Sequence, residues 1–281
     1  MRNLIYLSDY TKNDVQEIFH IADELQAGKY KDFLKGKTFV MFFPDSSIRT
    51  RVTFEKGIYL LGGQTILFPP ATLDKKEKLE DVIGYLNNWA DGLIVRHKDI
   101  SMLDEISIHA NFPIINAMTD INHPCEILSD LYALSKIRTD FTKDKFIFVG
   151  TSGNIGLAWK EASKLMGFSL TQSCPIEYKM QDVDYIGNLK EAIVGKDIVC
   201  TDSLSPDSLS SDKLKGFRNY QITLELMKSA NNKAILNPCP PFYRGEEVSA
   251  DAIDSAYFVG YSFKKHLLEI QQAIILFSIM K

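Results

Sequence analysis

The sequence predicts an α/β protein built from two doubly wound domains, each around a parallel sheet, and three observations carry that expectation. The chain has 281 residues, enough for two domains of ordinary size. Short apolar runs such as Phe39-Val40-Met41-Phe42-Phe43 and Phe146-Ile147-Phe148-Val149 read as strands buried on both faces. Segments with helical apolar spacing separate these runs, and alternating strands and helices make parallel sheets. The charged, turn-rich stretch from Lys136 to Lys145 divides one alternation from the next. The domains are therefore expected at residues 1–138 and 139–260, followed by a final segment 261–281.

Each element has its own local signal. Thr11 is placed as an N-cap, with Asp14 three residues on and Val15, Ile18, Phe19, Ala22 and Leu25 at helical spacing. A strand over 38–43 follows, stopped by Pro44. A helix then runs towards Gly62-Gly63, and Gln64 to Phe68 reads as a strand. Leu79, Val82, Ile83 and Leu86 mark another helix, and Leu93 to Val95 and Ile114-Ile115 mark short strands. Pro124 suits a first helical position and opens a helix to about Ile137. In the second half, strands are expected at Phe146 to Val149, Asp197 to Thr201 and Ala234 to Leu236. A helix from about Ile155 to Met166 ends at Gly167. Tyr261 to Met280 reads as a buried helix.

The bulk chemistry removes several classes of function. A net charge of −4 gives no excess of positive charge for nucleic acid or an anionic membrane. No uncharged apolar run reaches the roughly 18 residues of a membrane span, and Met1 to Leu4 leads into mixed residues without a signal-peptide core. Cys125, Cys174, Cys200 and Cys239 lack metal-ligand spacing. The expectation is a cytoplasmic protein with reduced thiols, no metal and no cofactor.

The chemistry concentrates at Phe43 to Glu55, F-P-D-S-S-I-R-T-R-V-T-F-E. A strand ends, two serines stand at a helix start, and Arg49 and Arg51 lie in the first turn. Free N–H groups, hydroxyls and a guanidinium at one helix start suit a dianionic phosphate. Arg49 and Arg51 leave the helix on nearly opposite sides, and Arg51 is four residues before Glu55, a natural ion-pair spacing. A surface helix with two solvated arginines explains the same residues.

Three further stretches bear on that choice: V-R-H at 95–97, H-P-C-E-I-L-S-D at 123–130 and P-C-P-P-F-Y-R-G-E-E-V at 238–248. Together with S-S-I-R-T-R, these ordered motifs resemble the aspartate/ornithine carbamoyltransferase family, closest to its ornithine branch. The resemblance implies a carbamoyl-phosphate-binding first domain, an amine-binding second domain and a cleft that closes in turnover. It also implies a C-terminal helix returning to the first domain, and a homotrimer in which the loop carrying Lys75 reaches a neighbouring subunit. By the same resemblance, Ser47, Arg49 and Thr50 grip phosphate, and Ile48 contributes a backbone donor. Arg96 spans phosphate and carbonyl oxygen, and His123 donates to that oxygen. Glu126 and the Pro240 carbonyl face the carbamoyl NH₂, while Asn154, Asp202 and Cys239 serve the amine substrate. Arg96, His123 and Cys239 form the catalytic set.

The departures are specific. Ile48 stands where the family carries threonine, and Glu126 where it carries glutamine. Pro238 replaces the family's histidine, and no arginine occurs near Lys264 to Leu267, where Lys264, Lys265 or His266 would have to substitute. An ionised Glu126 would accept from the NH₂ group but repel phosphate. Ser205-Pro206-Asp207 replaces the family's Ser-Met-Gly, and an Asp202–Asp207 pair would also suit a simple cationic amine such as putrescine. Two rivals remain at this level. One is a non-catalytic paralogue that only binds carbamoyl phosphate. The other is a nucleotide-dependent oxidoreductase using Gly150, Gly153 and Gly156, although their spacing is not that of a dinucleotide loop.

Overall fold

The computed structural model describes residues 1–203 and 216–281 and divides them into two compact units, residues 1–136 with 264–281, and residues 137–263. The expected Asp207 partner, with Ser205 and Pro206, lies outside the described residues.

The first unit holds a four-stranded parallel sheet in the order β2-β1-β3-β4, with β1 Thr38–Phe42, β2 Gln64–Phe68, β3 Gly92–Arg96 and β4 Ile114–Met118. Residues 39–42 are all buried, as expected for a strand covered on both faces. Val40 and Phe42 pack with Ile83, Leu103 and Ile106, from helices α3 (Leu79–Leu86) and α4 (Ile100–His109). Beyond β1, Phe43 meets Phe54 of α2 (Ile48–Leu60), with ring centroids 6.1 Å apart.

Helix α1 (Lys12–Gln26) opens with the expected Thr11–Asp14 capping box. Helix α5 (Pro124–Ile137) begins at the expected proline. In this unit the C-terminal helix Leu267–Met280 packs against α1 and α2, and Gln272 Nε2 donates to the Gly57 carbonyl at 2.9 Å. Its first turns differ from the expected single helix, because Tyr261–His266 is a 3₁₀ segment.

The second unit carries five parallel strands in the order β7-β6-β5-β8-β9: β5 Lys145–Val149, β6 Ser169–Ser173, β7 Asp184–Tyr185, β8 Ile198–Thr201 and β9 Ile235–Pro238. One face packs Ile147, Val199 and Leu236 against Leu189 and Ala192 of α7 (Leu189–Ala192), Met227 of α8 (Leu224–Met227) and Ile253 of α9 (Ala250–Ile253). Across the sheet, Phe146 stacks on Phe168 at 4.2 Å and lies 5.8 Å from Trp159 of α6 (Asn154–Met166). The C-terminal helix of the chain is therefore α10. Among the described residues, no helix is long and apolar enough to cross a membrane.

In each sheet the strand order reverses once, between β1 and β3 and between β5 and β8. In open parallel sheets, ligands bind beyond the carboxyl ends of the strands at such a reversal. This rule singles out the segments that follow β1, β3, β5 and β8.

Candidate active site

In the first unit, Ser47 follows β1 and Arg96 ends β3, the two strands flanking the reversal. The β3–β4 register slips between Val95 and Arg96, so the strand is irregular where the arginine leaves it. Such a slip re-aims a side chain. Arg96 Nη1 donates to Ser47 Oγ at 3.0 Å. The expected capping role of the Ser47 hydroxyl is thus replaced: Ser47 is the N-cap of α2 but its side chain caps nothing, because it accepts from the guanidinium.

The helix end beside this contact is open. Among the described residues, the N–H groups of Arg49 and Thr50 have no backbone acceptor, as helix geometry requires of a first turn. Thr50 and Ser47 are buried and Arg49 is exposed. Ile48 differs from its expected role. Its N–H donates to the Ser46 carbonyl at 2.9 Å and its side chain is 69% exposed, so here it offers the site neither donor nor hydroxyl. Arg51 pairs with Glu55 at 2.7 Å, as its helical spacing predicts.

His123 and Glu126 stand at the start of α5 and are buried. Burial lowers the His123 pKa to about 4, against the negative charge of Glu126 and with the help of the positive charges of Arg96 and Lys264. The imidazole is therefore neutral near pH 7 and holds one N–H that can be given to an oxygen.

Glu126 is held ionised despite burial. Lys264 lies against it, and His123 and Arg49 add positive charge or polarity nearby. Lys264 Nζ donates to Glu126 Oε1 at 2.8 Å and to Asp130 Oδ1 at 2.6 Å. The expected repulsion of phosphate by Glu126 is accordingly offset by a neighbouring ammonium. Of the three candidates for the absent arginine, Lys264 reaches this cluster. Lys265 is exposed, and His266 lies edge-on to Tyr132 at 5.2 Å. Lys75 is exposed, while its neighbour Asp74 accepts from buried His97 at 3.1 Å.

In the second unit, Asn154 opens the helix after β5, Asp202 follows β8 and Cys239 follows β9. The three therefore stand beyond the carboxyl ends of three adjacent strands. Asp202 packs against the glycine turn: a Cβ placed on Gly150 would lie 3.3 Å from Asp202 Cβ and 2.8 Å from the Phe148 ring. A Cβ on Gly156 would lie 2.5 Å from the Thr151 carbonyl oxygen. These glycines allow the turn to close on Phe148 and Asp202, a packing role that needs no dinucleotide.

Burial raises the Asp202 pKa to about 7, with Glu247 adding negative charge and the Ser203 N–H opposing the rise. Glu247 is buried and accepts from the Tyr243 N–H at 2.5 Å. Cys239 is buried, its N–H donates to the Thr201 carbonyl at 3.0 Å, and Pro240 follows it.

Comparison with known proteins meets this geometry at both ends of the chain. Residues 2–136 match the model described as "Aspartate/ornithine carbamoyltransferase, carbamoyl-P binding domain". Residues 142–278 match its companion, "Asp/Orn binding domain".

The chain belongs to the aspartate/ornithine carbamoyltransferase family.

It is accordingly a carbamoyltransferase, with a carbamoyl-phosphate-binding first domain and an amino-acid-binding second domain. The ornithine carbamoyltransferase of Methanosphaera stadtmanae is 31% identical over 297 residues, spanning 98% of each chain. The solved ornithine carbamoyltransferase of Pyrococcus furiosus superposes with a TM-score of 0.93 at 26% identity, covering 99% of this chain and 97% of that one. An acetylornithine transcarbamylase bound to acetylcitrulline shares the fold, with a TM-score of 0.86 at 20% identity.

Within this carbamoyltransferase, the structure brings Ser47 and Arg96 into contact and groups Arg49, His123 and Glu126 electrostatically with them. Asp130 and the buried Glu247 enter as site neighbours that motif reading left unassigned. Both lie inside the quoted motifs, H-P-C-E-I-L-S-D and R-G-E-E-V, so their positions were visible although their partners were not.

Proposed function

We propose that this enzyme transfers the carbamoyl group of carbamoyl phosphate to the side-chain amine of L-ornithine, giving citrulline and phosphate. The observation that supports it most is the Arg96–Ser47 contact beside neutral His123 and the open end of α2. The uncharged amine attacks the carbamoyl carbon. The new C–N bond forms as the C–O bond to phosphate breaks, and the proton lost by the amine passes to solvent or the departing phosphate. Arg96 and the His123 N–H stabilise the carbonyl oxygen as charge develops on it. Arg96, Ser47, Thr50 and Arg49 receive the phosphate, for which a guanidinium fork is well shaped. Glu126 and the Pro240 carbonyl take the carbamoyl NH₂. Asp202 takes the acceptor's ammonium group, with Asn154 and Cys239 beside it.

Ornithine is favoured by the names of curated relatives at about 30% identity over nearly the whole chain. A second reading, transfer to a simple diamine such as putrescine, is favoured by the acid Glu247 acting on Asp202, since two acids suit a cationic acceptor that lacks a carboxylate. We place the enzyme in the cytoplasm as a homotrimer, the assembly that the family resemblance implies.

The test is product formation from radiolabelled carbamoyl phosphate with ornithine, acetylornithine, putrescine and aspartate. The proposal expects ornithine to have the highest kcat/KM. Preference for putrescine or acetylornithine would replace the acceptor, and no product with any amine would support a binding-only paralogue.

A further inference from the structure

Glu126 and Asp130 are four residues apart on α5, so both carboxylates project from one face of the helix. Both are buried, and α5 brings no lysine or arginine before Lys136. The offsetting charge comes from far along the chain. Lys264, the first residue of the segment that rejoins this unit, donates to Glu126 Oε1 at 2.8 Å and Asp130 Oδ1 at 2.6 Å.

Formal charges show why this matters. Arg49 and Arg96 bring two positive charges, and Glu126 and Asp130 bring two negative ones. Without Lys264 these groups sum to zero and offer a dianion no net attraction. With it they are net positive.

The lysine also partitions the carboxylate. One Glu126 oxygen is occupied by the ammonium, which leaves Oε2 as an acceptor. An ionised carboxylate can only accept, so it matches the donor NH₂ of a carbamoyl group and not its carbonyl oxygen. That leaves the carbonyl for the donors Arg96 and His123.

We infer that Lys264 is a positioning residue that makes a carboxylate at position 126 compatible with carbamoyl phosphate, by neutralising it and presenting its second oxygen to the carbamoyl NH₂. This rests on the reading that the site takes carbamoyl phosphate, but not on ornithine being the acceptor.

The experiment is a mutant cycle on the full chain, with binding of carbamoyl phosphate and inorganic phosphate measured by calorimetry and folding checked by thermal melting. Lys264→Met weakens carbamoyl phosphate by about 10- to 100-fold, the scale of a lost interaction with a charged group. Adding Glu126→Gln removes one of the two carboxylate charges while keeping a side-chain oxygen, which returns the sum of these groups to net positive and recovers most of that loss. Lys264→Arg stays close to the original chain. A purely structural lysine would not show rescue by Glu126→Gln.

Should Lys264→Met fail to fold, Lys264→Gln takes its place in the cycle, with the same expected loss and the same rescue by Glu126→Gln. Unchanged binding in the Lys264 variant or no rescue in the double variant would each overturn the inference. Failure of the ornithine reading shows separately, as an unmodified chain that binds carbamoyl phosphate and makes no citrulline.

Discussion

The two units handle charge in opposite ways. In the first unit, the buried acids Glu126 and Asp130 are matched by Lys264, and Arg96 is already settled on Ser47. In the second, Asp202 is raised towards neutrality by burial and by another acid, and no described cation acts on it. A site for a dianion can be assembled in advance, because guanidinium groups stay charged and a helix end supplies fixed dipoles. A carboxylate awaiting an ammonium group has no such support, and burial shifts its equilibrium towards the acid form. On the proposed reading, the first unit is prepared for its ligand, whereas the second is completed by its substrate.

The largest expected effect tests the prepared site. Arg96→Ala removes the group that touches Ser47 and that, on the proposed reading, serves both phosphate and carbonyl oxygen. It should lower kcat/KM for carbamoyl phosphate by about 10²- to 10³-fold, as loss of an oxyanion donor does. Steady-state kinetics would show this, and a loss below tenfold would place the oxyanion elsewhere.

The complementary variant is Asp202→Asn. It should raise KM for the amine about tenfold or more, and leave KM for carbamoyl phosphate nearly unchanged. Equal effects on both substrates would break the contrast between the units.

The same contrast has a pH signature. Asp202 is neutral below its pKa of about 7 and ionised above it, so binding of a cationic acceptor improves as pH rises through that value. The attacking amine must also be uncharged, which imposes its own rise towards roughly 10, an ordinary alkylamine pKa. A plot of log kcat/KM for the amine should therefore be steeper below pH about 7 than above it. Asp202→Asn should remove the steeper part. A single slope in the unmodified enzyme would assign Asp202 no role in binding.

The smallest effect concerns Arg51, whose guanidinium is paired with Glu55. Arg51→Ala should cost about 0.3–0.5 kcal/mol of stability, as exposed helix pairs do, with KM for carbamoyl phosphate unchanged. A large rise in that KM would mean that Arg51, rather than Arg49, faces the anion.

How much of this was legible follows the same division. The turn after β1 was readable because its parts are nearly consecutive: an apolar strand, Ser47 at a helix start, and Arg49 and Thr50 in the first turn. Arg51–Glu55 was readable for the same reason, since helical spacing alone places the pair. Strand β6 was not, because Ser-Leu-Thr-Gln-Ser lacks an apolar signature. Its buried Gln172 is satisfied by the backbone, donating to Gly150 and Tyr178 and accepting from Met180, which no hydrophobic pattern reveals. Helix α4 was also missed.

The Lys264 contacts span more than a hundred residues of sequence, so each partner looked like an isolated departure from the family motif. Only their proximity shows that glutamate and lysine compensate one another. The acid at 202 was legible, but its titration depends on enclosure and on Glu247.

The central claim, that the turn after β1 and the arginine ending β3 together receive the phosphate of the carbamoyl donor, is tested most directly by a crystal structure with a bisubstrate phosphonate mimic. Phosphonate oxygens should lie within hydrogen-bond distance of Ser47 Oγ, the Thr50 N–H and the Arg96 guanidinium, with the mimic's carbonyl oxygen on Arg96 and His123. A phosphonate bound elsewhere, with Arg96 still resting on Ser47, would contradict it.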